Sequence, residues 1–137
     1  MNRDEVLARI QVSGGYLRTV AREFGGDREI VRIAALRCAT ALRYATWTLR
    51  DDAGLVRSIV AHNADALKFA SPRLRDDRDT VRVAMQSRPT ALRYASATLR
   101  KDRELALDAV TRGAVCRELY SLVGMHCRDR EIMFALI

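Results

Sequence analysis

Proline, lysine, histidine and cysteine are all scarce in this sequence of 137 residues, and each shortage excludes some kinds of protein or site. Two prolines and seven glycines leave little room for long linkers, which favours a single domain over residues 1–137. No apolar run approaches the roughly 20 residues that a bilayer requires, so we expect no membrane span. The first five residues contain no apolar signal segment, which predicts an intracellular protein.

Cysteine is too scarce to predict a disulfide framework, and cysteine and histidine together are too scarce to predict a metal site. Three cysteines without close spacing favour a reducing compartment. Cys116, His126 and Cys127 are the only candidates for a zinc site, but adjacent His126 and Cys127 suit tetrahedral geometry poorly. We therefore expect small buried thiols in helices, and no metal or cofactor.

Motifs for catalysis are also missing from the sequence. It contains no Gly-rich phosphate loop, no nucleophile signature and no paired histidine motif. The two histidines, His62 and His126, occupy unrelated positions in the chain. The sequence therefore predicts a protein that is not an enzyme.

A repeat of 25 residues is the main positive signal. Related segments begin at Thr40, Asp65 and Thr90, and each carries an Ala-Leu-(Arg/Lys)-(Tyr/Phe)-Ala core. The repeat divides the chain into unit 1 (2–26), unit 2 (27–51), unit 3 (52–76), unit 4 (77–101), unit 5 (102–128) and a C-terminal half unit (129–137). The match fades at both ends, as expected of units that cap an array.

Each unit predicts a first helix, a short second helix and a final helical turn. Aspartates suited to N-caps precede the first helix, whose apolar residues recur at i, i+3 and i+4. The second helix is predicted to begin at Thr40, Asp65 or Thr90, with residues such as Ala41, Leu42 and Ala45 facing inward. Ser71-Pro72 predicts an N-cap and the first position of the final turn, with Thr46 and Ser96 as equivalents of Ser71. The expected fold is all-α, a short α-solenoid of repeated helix–turn–helix units, of either handedness.

The segments Ala91–Ser96 and Leu99–Glu104 carry a family resemblance. Their pattern resembles the repeats of the domain of unknown function 4116 family, with the best match over residues 27–112. One family domain would cover two of these units. The family occurs in tandem arrays in bacterial, protist and large-virus proteins, and its biochemical role is not established. The resemblance implies a helical repeat and supplies no active site.

The net charge of +7 comes almost entirely from arginine, since only Lys68 and Lys101 are lysines. Arginine binds phosphates and carboxylates well because its planar fork donates two hydrogen bonds at once. Its abundance, together with that of alanine, is also explained by a GC-rich genome. The repeat arranges the basic residues in three columns: the first basic column (Arg18, Arg43, Lys68, Arg93), the second (Arg50, Arg75, Arg100) and the third (Arg32, Arg57, Arg82).

Two interpretations of these columns remain open. Outward-facing arginines at unit spacing could follow a phosphate backbone or an acidic partner helix. The more ordinary interpretation is that they pair with Asp51, Asp52, Asp76 and Asp77 of neighbouring units, or are simply solvated. The aromatic residues beside the first column, Tyr44, Phe69 and Tyr94, are expected to be half-buried packing rather than a base-stacking surface.

Trp47 and the C-terminal segment are the apolar contact candidates. Trp47 replaces Arg22, Pro72 and Ala97 of other units; if exposed, it would suit a protein interface, and otherwise it fills a local gap. Met133, Phe134 and Ile137 belong to a half unit that either caps the stack or associates with a partner or a second copy.

These features favour a non-catalytic binding module or a structural subunit of a larger assembly that contacts other proteins. The alternative is binding of an RNA or DNA backbone through the arginine columns. Nucleic-acid binding requires those columns to lie unneutralised on one face, whereas protein binding predicts apolar patches near Trp47 or Ile137.

Overall fold

The computed structural model describes residues 2–112, which are helical throughout and contain no strand. The helices are α1 (Arg3–Val12), α2 (Leu17–Phe24), α3 (Arg28–Arg37), α4 (Trp47–Arg50), α5 (Ala53–Val60), α6 (Pro72–Arg75), α7 (Arg78–Ser87), α8 (Ala97–Arg100) and α9 (Arg103–Thr111). Four 3₁₀ helices lie between them, at Gly14–Tyr16, Ala39–Tyr44, Ala64–Phe69 and Pro89–Tyr94. Most of unit 5 and the C-terminal half unit lie outside the described residues.

The element order repeats with the period of the sequence. Units 2, 3 and 4 each contain an α-helix, a 3₁₀ helix of 6 residues and an α-helical turn of 4 residues. Equivalent elements begin 25 residues apart, as α3, α5, α7 and α9 do at positions 28, 53, 78 and 103. The all-α prediction is therefore confirmed for the residues that the structure describes.

An aspartate precedes the first helix in each of units 2 to 5, as predicted, while Asn2 precedes α1 in unit 1. The carboxylates of Asp27, Asp52 and Asp102 accept hydrogen bonds from backbone N–H groups in the first turn of α3, α5 and α9. These bonds satisfy donors that have no partner within the helix. Asp77 occupies the same position before α7, but its carboxylate accepts the Thr80 hydroxyl instead of a backbone N–H. Asp129 lies outside the described residues.

The second helix of each unit differs from the prediction. It is a 3₁₀ helix that begins one residue earlier, at Ala39, Ala64 or Pro89, and no side chain caps it. An extended residue stands on each side of the segment, as Cys38 and Ala45 do in unit 2, and confines it to six residues. Its first turn instead closes on the backbone, where Ala41 N–H donates to the Cys38 carbonyl over 2.9 Å. Short 3₁₀ segments of this kind are common connectors.

The final turn is confirmed in units 2, 3 and 4. Pro72 occupies the first position of α6, and the Ser71 hydroxyl accepts the Leu74 N–H. Ser96 caps α8 in the same way, whereas Thr46 precedes α4 without a side-chain bond. A fixed backbone angle at Pro72 and a capping hydroxyl explain why so short a helix forms.

Neighbouring units are joined by packing and by a recurrent backbone bond. The first helices contact each other in the order α1, α3, α5, α7, and the 3₁₀ helices of units 2, 3 and 4 also contact each other in order. Their inward residues are buried, among them Ala41, Ala66 and Ala91, whose small side chains permit this close approach. The N–H groups of Thr46, Ser71 and Ser96 donate across the unit boundary to the carbonyls of Gly25, Arg50 and Arg75. A one-residue slip between units would break both the packing and these bonds.

Unit 1 departs from the pattern at Gly14. A 3₁₀ helix of 3 residues is followed there by α2, which runs for 8 residues. Gly14 is buried, and a Cβ at this position would lie 2.5 Å from the Ala34 carbonyl oxygen and 3.0 Å from the Cβ atoms of Arg37 and Cys38. Only glycine allows unit 1 to approach α3 so closely.

We therefore expect Gly14→Ala to destabilise the protein by about 1–3 kcal/mol, the usual cost of overpacking. The added methyl group meets backbone rather than a flexible side chain, so the two units must separate. Urea unfolding followed by far-UV circular dichroism measures the loss. Gly15→Ala is the matched control because its Cβ would meet only the Ser13 Oγ, at 3.7 Å. Equal midpoints for the two variants would contradict the close approach.

No helix within residues 2–112 is long and apolar enough to cross a membrane.

Candidate functional site

The first basic column lies on the outer side of the row of 3₁₀ helices. In unit 2, Leu42 is fully buried, and Arg43, which follows it, is exposed. Lys68 and Arg93 are exposed in the same way, and Arg18 is exposed on α2. The outward orientation predicted for this column is confirmed.

The aromatic residues beside this column are half-buried. Tyr44, Phe69 and Tyr94 pack against the core, as predicted, while Thr19 at the equivalent position of unit 1 is exposed. The Lys68 ammonium lies 5.8 Å from the centre of the Phe69 ring, and the Arg93 guanidinium lies 5.6 Å from that of Tyr94. These contacts are within the range of cation–π attraction and hold the cations close to the surface.

The second basic column is partly buried, and its members differ in their partners. The Arg50 Nε donates to the Phe69 carbonyl of the next unit over 2.8 Å. The Nε atoms of Arg75 and Arg100 are buried and have no hydrogen-bond partner in the part of the chain that the structure describes. A buried cationic donor without an acceptor is energetically costly, and both Arg75 and Arg100 carry one.

The first and second columns meet in one cleft between units 3 and 4. Four cations line it: Lys68 and Arg93 of the first column, and Arg75 and Arg100 of the second. Tyr94 and Ala95 complete the lining, which is mainly polar, and the cleft has a volume of about 270 Å³. No carboxylate lines it. We call this group of residues the cationic cleft.

The nearby acids are occupied by other groups. Asp65 Oδ1 lies 3.5 Å from the Tyr94 hydroxyl, but both of its oxygens accept the Arg88 guanidinium at 3.0 Å. Asp76 accepts the Ser96 hydroxyl. The charge of the cleft is therefore offset only weakly by its surroundings.

Aspartates at the unit boundaries pair with arginines outside the first two columns. Arg3, Arg28 and Arg78 begin the first helix of their units and contact the N-cap aspartate of the following unit, namely Asp27, Asp52 and Asp102. In unit 3 the equivalent position is Ala53, and Arg57, one turn later, contacts Asp77 at 2.7 Å. Asp51 accepts Arg73 over 2.9 Å. These bonds join each unit to the next through its helix N-terminus.

The first two columns do not form the pairs with Asp51, Asp52, Asp76 and Asp77 that the ordinary interpretation named, whereas its other possibility, solvated side chains, agrees with the exposure of the first column. Within residues 2–112, no carboxylate forms an ion pair with a member of the first or second column. The prediction holds in the third column for Arg57, which contacts Asp77. The aspartates were assigned to the wrong arginines because residues at the start of the first helices lie closer to them.

Hydrogen bonding keeps these aspartates ionised. The Arg3 guanidinium, aided by backbone N–H groups, lowers the pKa of Asp27 below its ordinary value. The Ser71 hydroxyl and Arg73 lower the pKa of Asp51. Burial raises the pKa of Asp77, but the hydrogen bonds from Thr80 and Arg57 outweigh it, and the net shift is downward. Asp27, Asp51 and Asp77 are therefore charged at neutral pH and already engaged in hydrogen bonds.

Trp47 is one of two large apolar side chains that are strongly exposed among residues 2–112. Its exposed fraction is 58%, and that of Val12 is 87%. The Arg50 guanidinium lies 5.8 Å from the centre of the indole ring. Trp47 therefore does not fill a gap between units, and it satisfies the exposure that an interface residue requires.

Other candidates are placed differently from expectation or lie outside the described residues. Cys38 is partly exposed at the end of α3, not buried in a helix, and its Sγ lies 2.9 Å from the Thr40 hydroxyl. No group of three or more histidine, cysteine or acidic residues that could hold a metal occurs within residues 2–112. The remaining zinc and C-terminal candidates lie outside those residues: Cys116, His126, Cys127, Met133, Phe134 and Ile137.

Sequence reasoning did not find the cationic cleft as a site. It placed Lys68 and Arg93 in one column and Arg75 and Arg100 in another, with no indication that the two columns meet. The available signal was their spacing, because each second-column residue follows a first-column residue by seven positions, across the bend between the 3₁₀ helix and the final turn. A second cavity, of about 550 Å³, was also missed; it is mainly apolar and lined by Ala8, Arg9, Val12, Ser13 and Tyr16.

Comparison with known proteins identifies one family. Residues 52–100 match the family model described as Domain of unknown function (DUF4116), which confirms the resemblance noted from the sequence. The match covers units 3 and 4, a shorter range than the 27–112 expected, and it includes every residue that lines the cationic cleft. No curated protein and no solved structure matches the chain.

Proposed function

We propose that the chain is a non-catalytic α-solenoid module that binds the phosphate backbone of nucleic acid along its first and second basic columns. The observation that carries the proposal is the cationic cleft, where four cations from both columns meet without a carboxylate. An intracellular, reducing location is part of the same proposal.

The repeated contacts support the solenoid. First helices contact first helices, and 3₁₀ helices contact 3₁₀ helices, from one unit to the next. Equivalent side chains of successive units therefore lie on the same side of the stack. Stacks of this kind expose extended surfaces, and these are the usual binding surfaces of helical-repeat proteins.

The distribution of charge favours a polyanion. Arginines elsewhere hold the units together, as Arg28 and Arg78 do through Asp52 and Asp102. The first two columns take no part in those pairs, so their charge is free to act on a ligand. A strand with one phosphate per nucleotide matches a series of cations at regular intervals, and binding releases its counterions. The net charge of +7 increases the rate of encounter with such a partner.

Protein binding is the second candidate, and the exposure of Trp47 favours it. Tryptophan is enriched among the residues that dominate binding energy in protein interfaces. An interface there would belong to a binding module or to a structural subunit of a larger assembly. Trp47 is isolated, however, since Thr46 and Thr48 beside it are exposed polar residues. It ranks second because one exposed ring does not form an apolar patch.

Fluorescence polarisation with labelled RNA and DNA, titrated with salt, tests the proposal. We expect affinity to fall with salt with a log–log slope of about −0.7 to −0.9 per phosphate contact. Arg43→Ala/Lys68→Ala/Arg93→Ala should make that slope less negative by about 2–3, because three contacts are lost. The matched control is Arg32→Ala/Arg37→Ala/Arg82→Ala, which removes three exposed arginines from first helices.

Two results would overturn the proposal. One is the absence of binding at about 50 mM salt, where screening is weak. The other is an equal loss in both triple variants, which would mean that only net charge matters. In either case Trp47→Ala, assayed against candidate protein partners, becomes the informative variant.

A further inference from the structure

Arg75 and Arg100 line the cationic cleft, and each carries a buried hydrogen-bond donor without an acceptor among residues 2–112. The Nε of each is buried and has no acceptor, although Arg50 at the equivalent position of unit 2 donates to a backbone carbonyl. The equivalent acceptor for Arg75, 25 residues after Phe69, is the Tyr94 carbonyl, and no hydrogen bond to it forms. An anion against these guanidinium groups would supply the missing negative charge.

The size of the cleft limits what it can hold. A volume of about 270 Å³ is slightly below the roughly 300–1,000 Å³ of pockets that enclose drug-sized molecules. The lining is mainly polar, so an apolar ring or a nucleobase has little surface to pack against. A compact oxyanion fits both the volume and the lining.

The charge of the cleft selects among oxyanions. Four cations line the cleft, and both carboxylate oxygens of nearby Asp65 accept hydrogen bonds from Arg88. An internal phosphodiester carries one negative charge, whereas a phosphate monoester carries about −1.5 to −2 at pH 7 and offers three acceptor oxygens. Arginine forks bind such a group through two parallel hydrogen bonds each.

We infer that the cationic cleft is a discrete site for one phosphate monoester, the group found at the end of a nucleic-acid strand. Only this source of the phosphate rests on the proposed function; the affinity for the group itself does not. The outer parts of the basic columns would contact internal phosphodiesters, and the cleft would hold the terminal group. Lys68 and Arg93 line the same cleft and are exposed.

Isothermal titration calorimetry at constant ionic strength tests the inference with three probes: inorganic phosphate, a dinucleotide with a terminal phosphate, and the same dinucleotide without it. We expect the terminal phosphate to tighten binding about ten-fold or more, the size of one charge-assisted hydrogen bond. Inorganic phosphate should compete with the phosphorylated dinucleotide, and chloride at equal ionic strength should not.

Variants locate the site. Arg75→Gln and Arg100→Gln should each weaken binding of the phosphorylated dinucleotide about ten-fold. Arg37→Gln removes the same charge from an exposed arginine of α3, outside the cleft and outside the basic columns, and should change affinity less than about two-fold. Arg75→Lys keeps the charge but loses the fork, so an intermediate loss is expected. It also serves if Arg75→Gln fails to fold, which circular dichroism reveals.

Equal affinity for the two dinucleotides would overturn the inference, as would an equal effect of Arg37→Gln and Arg75→Gln. These results are separable from failure of the proposed function. If a long strand without terminal phosphates does not bind but phosphate does, nucleic-acid binding along the columns is wrong and the phosphate site stands. If the long strand binds and terminal phosphates do not tighten binding, the phosphate site is wrong and nucleic-acid binding along the columns stands.

Discussion

Lys68→Glu/Arg93→Glu is expected to weaken nucleic-acid binding on the order of 100-fold, because like charges brought together cost several kcal/mol. Both residues line the cationic cleft, and no carboxylate in the described part of the chain pairs with either. The double variant would turn a cleft of four cations into one with two cations and two acids. The new carboxylates would also compete with the ligand for Arg75 and Arg100. Polarisation titrations at one fixed salt concentration measure the change.

The matched control for this reversal is Arg32→Glu/Arg37→Glu. It alters net charge by the same amount on two exposed residues of α3 that do not line the cleft. Lys68 and Arg93 are themselves exposed, so the first double variant should unfold at nearly the same temperature as the wild-type protein. If both double variants lose affinity equally, the cleft has no special role, and only overall charge attracts the ligand.

The sequence was sufficient to predict features that depend on nearby residues. The period, the aspartate N-caps and the inward faces all follow from spacing within one unit, and repetition confirms each several times. Ser71-Pro72 predicted a short final turn because an N-cap and a proline are strong local signals, and the structure has a helix of 4 residues there. The structure confirms these elements.

The sequence was not sufficient for features that depend on the distance between units. Leu42 and Ala45 face inward equally well from an α-helix or a 3₁₀ helix, so their spacing could not distinguish the two. The sequence did not predict the partners in the ion pairs, for a related reason. Arg28 contacts Asp52, 24 residues later, but Arg57 contacts Asp77, 20 residues later, since Ala53 replaces the arginine at the start of α5. Only the packed array decides which cations remain without a carboxylate, and hence where a cleft forms.

Leu67→Ala is expected to destabilise the protein by about 2–5 kcal/mol, the cost of a large cavity in a core that cannot collapse. Leu67 is fully buried in the 3₁₀ helix Ala64–Phe69, which contacts α5, α7 and the 3₁₀ helices of units 2 and 4. The lost side chain therefore belongs to an element that contacts both neighbouring units. Because unit 3 contacts units 2 and 4, we expect a weakened unit 3 to weaken the units on both sides. Urea unfolding followed by far-UV circular dichroism measures the change.

The control for Leu67→Ala is Leu49→Ala, which removes the same atoms from a partly exposed leucine of α4. Water already reaches that side chain, so a loss of about 1 kcal/mol is expected there. A loss below 1 kcal/mol at Leu67 would show that unit 3 is not enclosed by its neighbours. A single shifted transition would show that the units unfold together, since the cavity then lowers the stability of the whole array. Two separate transitions in Leu67→Ala would instead mean that the array divides at unit 3, and that the cationic cleft, which is built from units 3 and 4, is lost before the rest of the fold.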